Sequence, residues 1–162
     1  MNKKDPILFI GRFQPLHKGH KSAIEKLREN YILKIIIGSS ESRRTRENPL
    51  SYAERRQVIE NCFTSLDIGG MRDLPSDHKW AREIIERNDF DVVVSGNSRV
   101  QEIFGKYEVE VKEPDLYSPE KYSGEIIREK IRNDVKWRHL VPECSLEILE
   151  KLNFSEIVKS RS

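Results

Sequence analysis

Cysteine is scarce: the 162 residues hold only Cys62 and Cys144. With no CxxC spacing between them, neither a disulfide framework nor a zinc ribbon is expected, and both are read as reduced thiols lying along helices. Long apolar runs are missing too, since none approaches the ~18 residues that span a bilayer. The opening "MNKKDPILFIG" sets lysines before an apolar stretch. That stretch is too short for a signal-peptide core and ends in Gly-Arg, not a small-residue cleavage site. A soluble, cytoplasmic protein with no membrane partner is the expectation. Charge of one sign is also lacking: 29 Lys and Arg stand against 27 Asp and Glu, a formal +2, which gives no reason to expect nucleic acid as a partner. No GxGxxG follows the first apolar run, which argues against a dinucleotide-binding dehydrogenase. Repeats and linkers are absent, so residues 1–162 read as a single domain.

What is present is an alternation of short apolar runs and amphipathic stretches. "ILFI" at 7–10 and "ILKIIIG" at 32–38 read as strands buried on both faces. Between them a helix is expected from Lys18 to about Asn30, with Ala23, Ile24, Leu27 and Tyr31 at helical spacing along one side. Ser51 with Glu54 forms an S-x-x-E capping box ahead of a helix whose apolar stripe is Val58, Ile59, Cys62, Phe63 and Leu66. "IGGMRDLP" is a weak strand, 79–88 a short helix with Trp80, Ile84 and Ile85, and "DVVVSGN" at 91–97 a strong strand. A helix at 98–104, an alternating strand at 107–112 and the loop "PDLYSPEKY" follow. Ser123 caps a helix that turns Ile127 and Ile131 inward. Pro142 is placed as the first-turn proline of a C-terminal helix bearing Leu146, Leu149 and Leu152. The fold class is therefore α/β, a Rossmann-like doubly wound parallel sheet of about five strands with helices on both faces, plus C-terminal helices. If the strand order is 3-2-1-4-5, "GRFQPLHKGH" and "SGN" are neighbours at the switch point, where such sheets bind ligands.

His17 and His20, spaced i, i+3 where a strand hands over to a helix, can point the same way. Three readings are open on local grounds. One is a surface histidine beside a capping histidine. Another is a zinc pair, but His78 and His139 have no motif spacing that supplies further ligands. The third is a phosphate site, since a helix N-terminus presents N–H groups and partial positive charge, Gly19 permits close approach, and Arg12 and Lys18 add cations. Downstream, "YSGEIIREKIR" sets Ser123 and Gly124 before a helix with Arg128 and Arg132 a turn apart, again suited to phosphate oxygens, although alone it is an ordinary capped helix.

Taken together, "GRFQPLHKGH" and "SGEIIR" resemble the HxGH and SGTxIR signatures of the nucleotidyltransferase superfamily, and the Gly-Arg-Phe-Gln-Pro form resembles the archaeal-type nicotinamide mononucleotide (NMN) adenylyltransferases. "ENPLSYAERR" is similar to that family's E-N-P-F-T-A-G-E-R, and "SGNSRV" to its S-G-N-P-L-V. "YEVEVKEP" and "WRHLVPE" recur in order. Departures are Glu125 for the family's threonine, Ser98-Arg99 for Pro-Leu, and Tyr52-Ala53 for Ala-Gly.

The resemblance implies transfer of AMP from ATP to NMN, giving NAD⁺ and pyrophosphate. It implies that His17, His20, Arg12 and Arg128 are the catalytic groups. Gly11, Phe13, Gly19, Ser123 and Gly124 would complete the ATP phosphate site, and Gly96 and Asn97 would line the adenosine. Trp80 would be a platform for the nicotinamide ring or else a core residue, with Ser39 and Ser40 on the NMN side at a phosphate or ribose. Mg²⁺ would bridge the phosphates, held by ATP and water, with no metal held by a protein cage. Arg43, Arg44 and Arg46 lie in a loop that either meets substrate or is simply solvated. A homohexamer is implied by resemblance alone. Rival readings are a related transferase acting on FMN, phosphopantetheine or a sugar or alcohol phosphate, whose first motif more often resembles G-[ST]-F-D-x-x-H-x-G-H, and a non-catalytic NAD⁺ or ATP sensor.

Overall fold

The computed structural model describes residues 4–116 and 118–161. The lysine at position 3 and Tyr117, in the expected loop "PDLYSPEKY", lie outside the described residues. In chain order the elements are β1 (Asp5–Gly11), α1 (Lys18–Asn30), β2 (Tyr31–Ile37), α2 (Tyr52–Cys62), β3 (Asp67–Gly70), α3 (Asp77–Arg87), β4 (Val92–Val94), α4 (Ser98–Gly105), β5 (Glu110–Lys112), α5 (Gly124–Arg132), a 3₁₀ turn (Arg138–Leu140), α6 (Glu143–Lys151) and α7 (Phe154–Lys159).

All strand pairs are parallel, and the order is β3-β2-β1-β4-β5, so the switch point falls between β1 and β4 as expected. Alternation along each strand divides the core. Phe9, Ile35, Ile37 and Val94 face α1, α2, α5, α6 and α7; Leu8, Ile10, Ile36 and Val93 face α3 and α4. Helices thus cover both faces, with the larger core on the first.

Four expectations are corrected. Cys62 and Cys144 are not reduced thiols: they form a disulfide, with Cα atoms 5.1 Å apart across 82 residues of chain. Cys62 lies at the end of α2 and Cys144 in the first turn of α6, and the two helices pack together, a proximity that spacing along the chain does not encode. The fifth strand is shorter than 107–112, because the N–H groups of Tyr107, Glu108 and Val109 bond back to Phe104 and Gly105 and Glu108 adopts φ 58°. The C-terminal helix is two helices, broken at Asn153 in the left-handed region. Pro142 is the N-cap of α6, one place earlier than expected. Among the described residues no helix is long and apolar enough to cross a membrane.

Candidate active site

The segment from Arg12 to Leu16 runs between β1 and α1 with no sheet partner of its own, so its carbonyls need donors from elsewhere. Three helices supply them. Arg55 of α2 donates to the Arg12 carbonyl (3.0 Å), Arg128 of α5 to that of Gln14 (2.7 Å), and Ser145 of α6 to that of Leu16 (2.9 Å). The Gln14 side chain meets the Leu50 backbone as a second strand would, donating to its carbonyl and accepting from its N–H, both at 2.9 Å. The Gln14–Pro15 peptide is cis, and Phe13 has φ 53° with its ring 4.7 Å from that of His20.

Arg55 is 1% exposed. Besides Arg12 it donates to the carbonyls of Gly38 (2.7 Å), Ser39 (3.0 Å) and Ser51 (3.2 Å). All its acceptors are neutral, so a whole positive charge sits beneath the carboxyl ends of β1 and β2. Burial lowers its pKa to about 10, with Arg12 adding to the effect, and it remains a cation at neutral pH.

The two histidines cap α1 reciprocally. His17 Nδ1 accepts from the N–H groups of Gly19 (3.0 Å) and His20 (3.3 Å), while His20 Nδ1 accepts from the His17 N–H (3.3 Å). Their rings stack with centroids 3.6 Å apart. Burial lowers His17 to about 4; burial, then the neighbouring His17, takes His20 well below the usual imidazole value. Both rings are therefore neutral at physiological pH. With each Nδ1 accepting, each proton sits on Nε2. The pair is a set of two neutral N–H donors at a helix N-terminus, where an anion would add to the N–H groups and dipole already aligned.

A cavity of about 530 Å³ opens at the switch point. Of the expected site residues it is lined by Gly11, Arg12, His20, Ser39, Trp80, Gly96 and Asn97. His17, Gly19 and Phe13 stand behind His20 and do not line it. Ser123, Gly124 and Arg128 approach the loop from α5, outside its walls. Ser40 turns away: its N–H bonds to Met71 and its Cβ sits by Gly70. Arg12 is exposed at the cavity, and no hydrogen bond or ion pair to its guanidinium occurs among the described residues. Asn97 caps α4 through the N–H groups of Arg99 and Val100. Trp80 is half-buried, its ring 5.7 Å from that of Phe104, with one side packed and another at the cavity.

At α5, Ser123 Oγ accepts from the Ile126 N–H. A side chain at Gly124 would put Cβ 2.8 Å from the Gln14 carbonyl and 2.7 Å from Arg128 Nη1, so glycine is what lets α5 reach the loop. Arg128 Nε is buried with no partner, and burial, then Arg132, lowers the group's pKa. Glu125 is exposed in the first turn of α5, where its charge suits the helix dipole. Arg44 is held, though a third of its side chain meets water: it forms a two-pronged pair with Glu54 (2.6 and 2.8 Å), which also receives the Ser51 N–H. Arg46 lies 4.0 Å from Glu129.

Residues that the sequence patterns do not single out are Arg55, Asp73 and Asp77, and Arg99 is marked there only as a departure from the family's Pro-Leu. Asp73 accepts from Ser39 Oγ (3.0 Å) and Asp77 pairs with Arg99 (2.9 Å), and Asp73, Asp77 and Arg99 all line the cavity. Arg55 leaves a signal: it falls on the apolar stripe of α2, at the same face as Val58, Ile59 and Cys62, where a cation requires buried acceptors.

A family model described as cytidylyltransferase-like matches residues 8–130. A nicotinamide-nucleotide adenylyltransferase of Methanococcus aeolicus is 31% identical over 159 residues, spanning 94% of this chain and 92% of its own. One from Methanococcus maripaludis strain C5 is 34% identical over 150 residues, spanning 89% and 88%. Among solved structures, a bifunctional NMN adenylyltransferase/ADP ribose pyrophosphatase from Francisella tularensis matches 97% of this chain with a TM-score of 0.79 at 22% identity. This chain spans 52% of that one, and at such identity the match speaks for the fold alone. A second structure of the Francisella protein, complexed with AMP and a manganese ion, matches with a TM-score of 0.72.

Proposed function

The chain belongs to the cytidylyltransferase-like family, with nicotinamide-nucleotide adenylyltransferases among its relatives, and we propose that it transfers AMP from ATP to NMN, releasing pyrophosphate and forming NAD⁺. The observation that carries this reading is the stacked, reciprocally capping pair His17 and His20 at the start of α1, with His20 lining a cavity that Arg12 also lines. The phosphate of NMN attacks the α-phosphorus of ATP, and pyrophosphate departs in line. Because the nucleophile is already an anion, the site needs no general base. It must align two polyanions and stabilise charge as it builds on the transferring and leaving oxygens. Neutral histidines suit that work, because they donate hydrogen bonds without holding the product pyrophosphate by full charge.

Arg12 meets the phosphates from the cavity side. Arg128, Ser123 and Gly124 take the β- and γ-phosphates from α5, with the orphaned Arg128 Nε as a donor already desolvated. Gly96 and Asn97 line the adenosine. Trp80 stacks on the pyridinium, and Ser39 lies on the NMN side. Among the described residues no three His, Cys, Asp or Glu side chains cluster as metal ligands, and the phosphate end is lined by cations and N–H donors. That donor set does not fit a resident metal, so the divalent ion, Mg²⁺ in this reading, enters as part of the ATP substrate. The reading also makes the protein a cytoplasmic homohexamer, an assembly that light scattering tests.

The deciding experiment incubates purified protein with Mg·ATP and a panel of phosphate acceptors: NMN, nicotinic acid mononucleotide, FMN and phosphopantetheine. NAD⁺ and pyrophosphate in equal amounts from NMN are expected. Product from FMN or phosphopantetheine alone would overturn the assignment.

A further inference from the structure

The carbonyls of Arg12, Gln14 and Leu16 are held by α2, α5 and α6, and two of those helices are covalently joined. Cys62 closes α2 two turns beyond Arg55. Cys144 opens α6 directly before Ser145, which is fully buried and donates to Leu16. Both half-cystines are half-buried and neither is sealed in the core. Among the described residues a hydrogen bond also crosses this seam, from Asn61 to the Cys144 carbonyl at 2.7 Å, and it does not depend on the bridge.

We propose that Ser145 is a positioning residue for the reacting groups, and that the Cys62–Cys144 bridge makes its hold on the loop dependent on thiol–disulfide state. Leu16 is bonded to His17, whose N–H and ring form the reciprocal cap with His20. Any movement of the Leu16 carbonyl turns the peptide that carries the His17 N–H, and with it both imidazoles. The side chains that fix the neighbouring carbonyls, Arg55 and Arg128, act upstream and do not substitute for Ser145 at Leu16. The switching step balances simply. A dithiol gives two electrons and two protons to the bridge, the S–S bond breaks, two cysteine thiols form, and the dithiol closes to its own disulfide. Neither sulfur lines the cavity, so reduction removes no substrate contact. It loosens alignment, and the signature is therefore in kcat, not KM.

The proposal rests on the adenylyl-transfer reading, and its test separates the two. Protein is prepared oxidised, reduced with dithiothreitol, and reoxidised, with free thiols counted at each stage and melting followed so that assays run where every form is folded. In the wild type, kcat falls about 3–10-fold on reduction, KM for ATP and NMN changes less than about twofold, and reoxidation restores the rate. Cys62→Ser with Cys144→Ser matches the reduced enzyme in either buffer. Ser145→Ala shows the lower kcat while oxidised, and reduction lowers it no further. The histidine ring resonances of the substrate-free protein give an independent readout: those of His17 and His20 move on reduction in the wild type and stay fixed in Ser145→Ala. Should Ser145→Ala fail to fold, the wild-type and double-cysteine comparisons decide. Equal kcat and unmoved resonances in fully reduced protein overturn the proposal, as does an undiminished redox effect in Ser145→Ala or two free thiols before reduction. Absence of NAD⁺ from the oxidised enzyme faults the adenylyl-transfer reading instead, and the resonances still decide the coupling.

Discussion

Two arginines mark the two walls of the cavity, and they are used in opposite ways. Arg55, under the wall to which the proposed reaction assigns the phosphates, is 1% exposed and gives its donors to four backbone carbonyls. Arg99, on the wall built by α3 and α4, has a side chain 76% exposed and one ion pair to Asp77. The phosphate wall is fixed before substrate arrives, by donors from three helices and a reciprocal cap. The opposite wall is held mainly by aromatic and aliphatic packing, with Trp80 on Phe104, and keeps its polar groups near water. This division suits the proposed chemistry. Charge develops at the phosphates, where dipoles that need no reorganisation help most, whereas the base rings gain from contact area that can adjust.

The sharpest way to break the contrast is Arg55→Met, which keeps the bulk and removes every donor. It leaves buried carbonyls at Arg12, Gly38 and Ser39 unanswered, and a loss of about 3–5 kcal/mol in stability is expected, on the scale of breaking a buried charged network. Urea denaturation reads it, and an unchanged midpoint would show the loops are held by other means. His20→Ala probes the same wall through rate: kcat should fall about 10²–10³-fold with a smaller change in KM, alongside a stability loss of about 0.5–2 kcal/mol from the broken cap, which leaves the protein folded at assay temperature. Near-normal turnover would remove His20 from the reaction.

Acid separates the walls more gently. Burial holds His17 at about 4 in the folded protein against 6.5 in the open chain, and His20 is shifted the same way. As pH falls below 6.5 the unfolded chain takes up the protons first, so stability is level above 6.5 and declines below it until the folded-state value is reached. His17 alone contributes a loss of ~2 kcal/mol between pH 6.5 and about 5. His17→Asn keeps a favourable helix cap without a titrating ring and should flatten that slope; a slope as steep in the variant would assign it elsewhere. The smallest effect belongs to the other wall. Trp80→Ala should weaken NMN by ~0.5–2 kcal/mol in KM and leave KM for ATP nearly constant, with Trp80→Phe recovering part of the loss. Both KM values shifting together with a large fall in melting temperature would return Trp80 to the core.

Much of this architecture is legible in the chain. The helix at 18–30 and the capping box at Ser51 and Glu54 rest on local periodicity and spacing, which short segments carry in full, whereas the strand order enters the sequence reading only as a condition, one that the structure meets. Of the expected site, Gly11, Arg12, His20, Gly96 and Asn97 reach one cavity because strand ends at a switch point converge. The clasp of Arg12, Gln14 and Leu16 is not legible. It joins residues 43, 114 and 129 positions apart, and no pattern in a window of sequence records which carbonyl a distant side chain will find. The disulfide is hidden for the same reason: two isolated cysteines say nothing of the helix seam that brings them together. Arg44 sits in a basic loop that looks solvated until Glu54, ten residues on, is seen to hold it.

The clasp also has a consequence in time. A chain emerging from a ribosome has His17 and His20 early, and everything that lines the cavity by residue 116, yet the loop between β1 and α1 lacks its last donor until Ser145 has emerged and α6 has docked. The C-terminal helices, which touch no substrate in the proposed reaction, thus finish a loop whose other parts are made early. A chain ending before α6 keeps every residue of the cavity lining but lacks the donor to Leu16, and slower turnover than that of the finished protein is expected from it, as from Ser145→Ala.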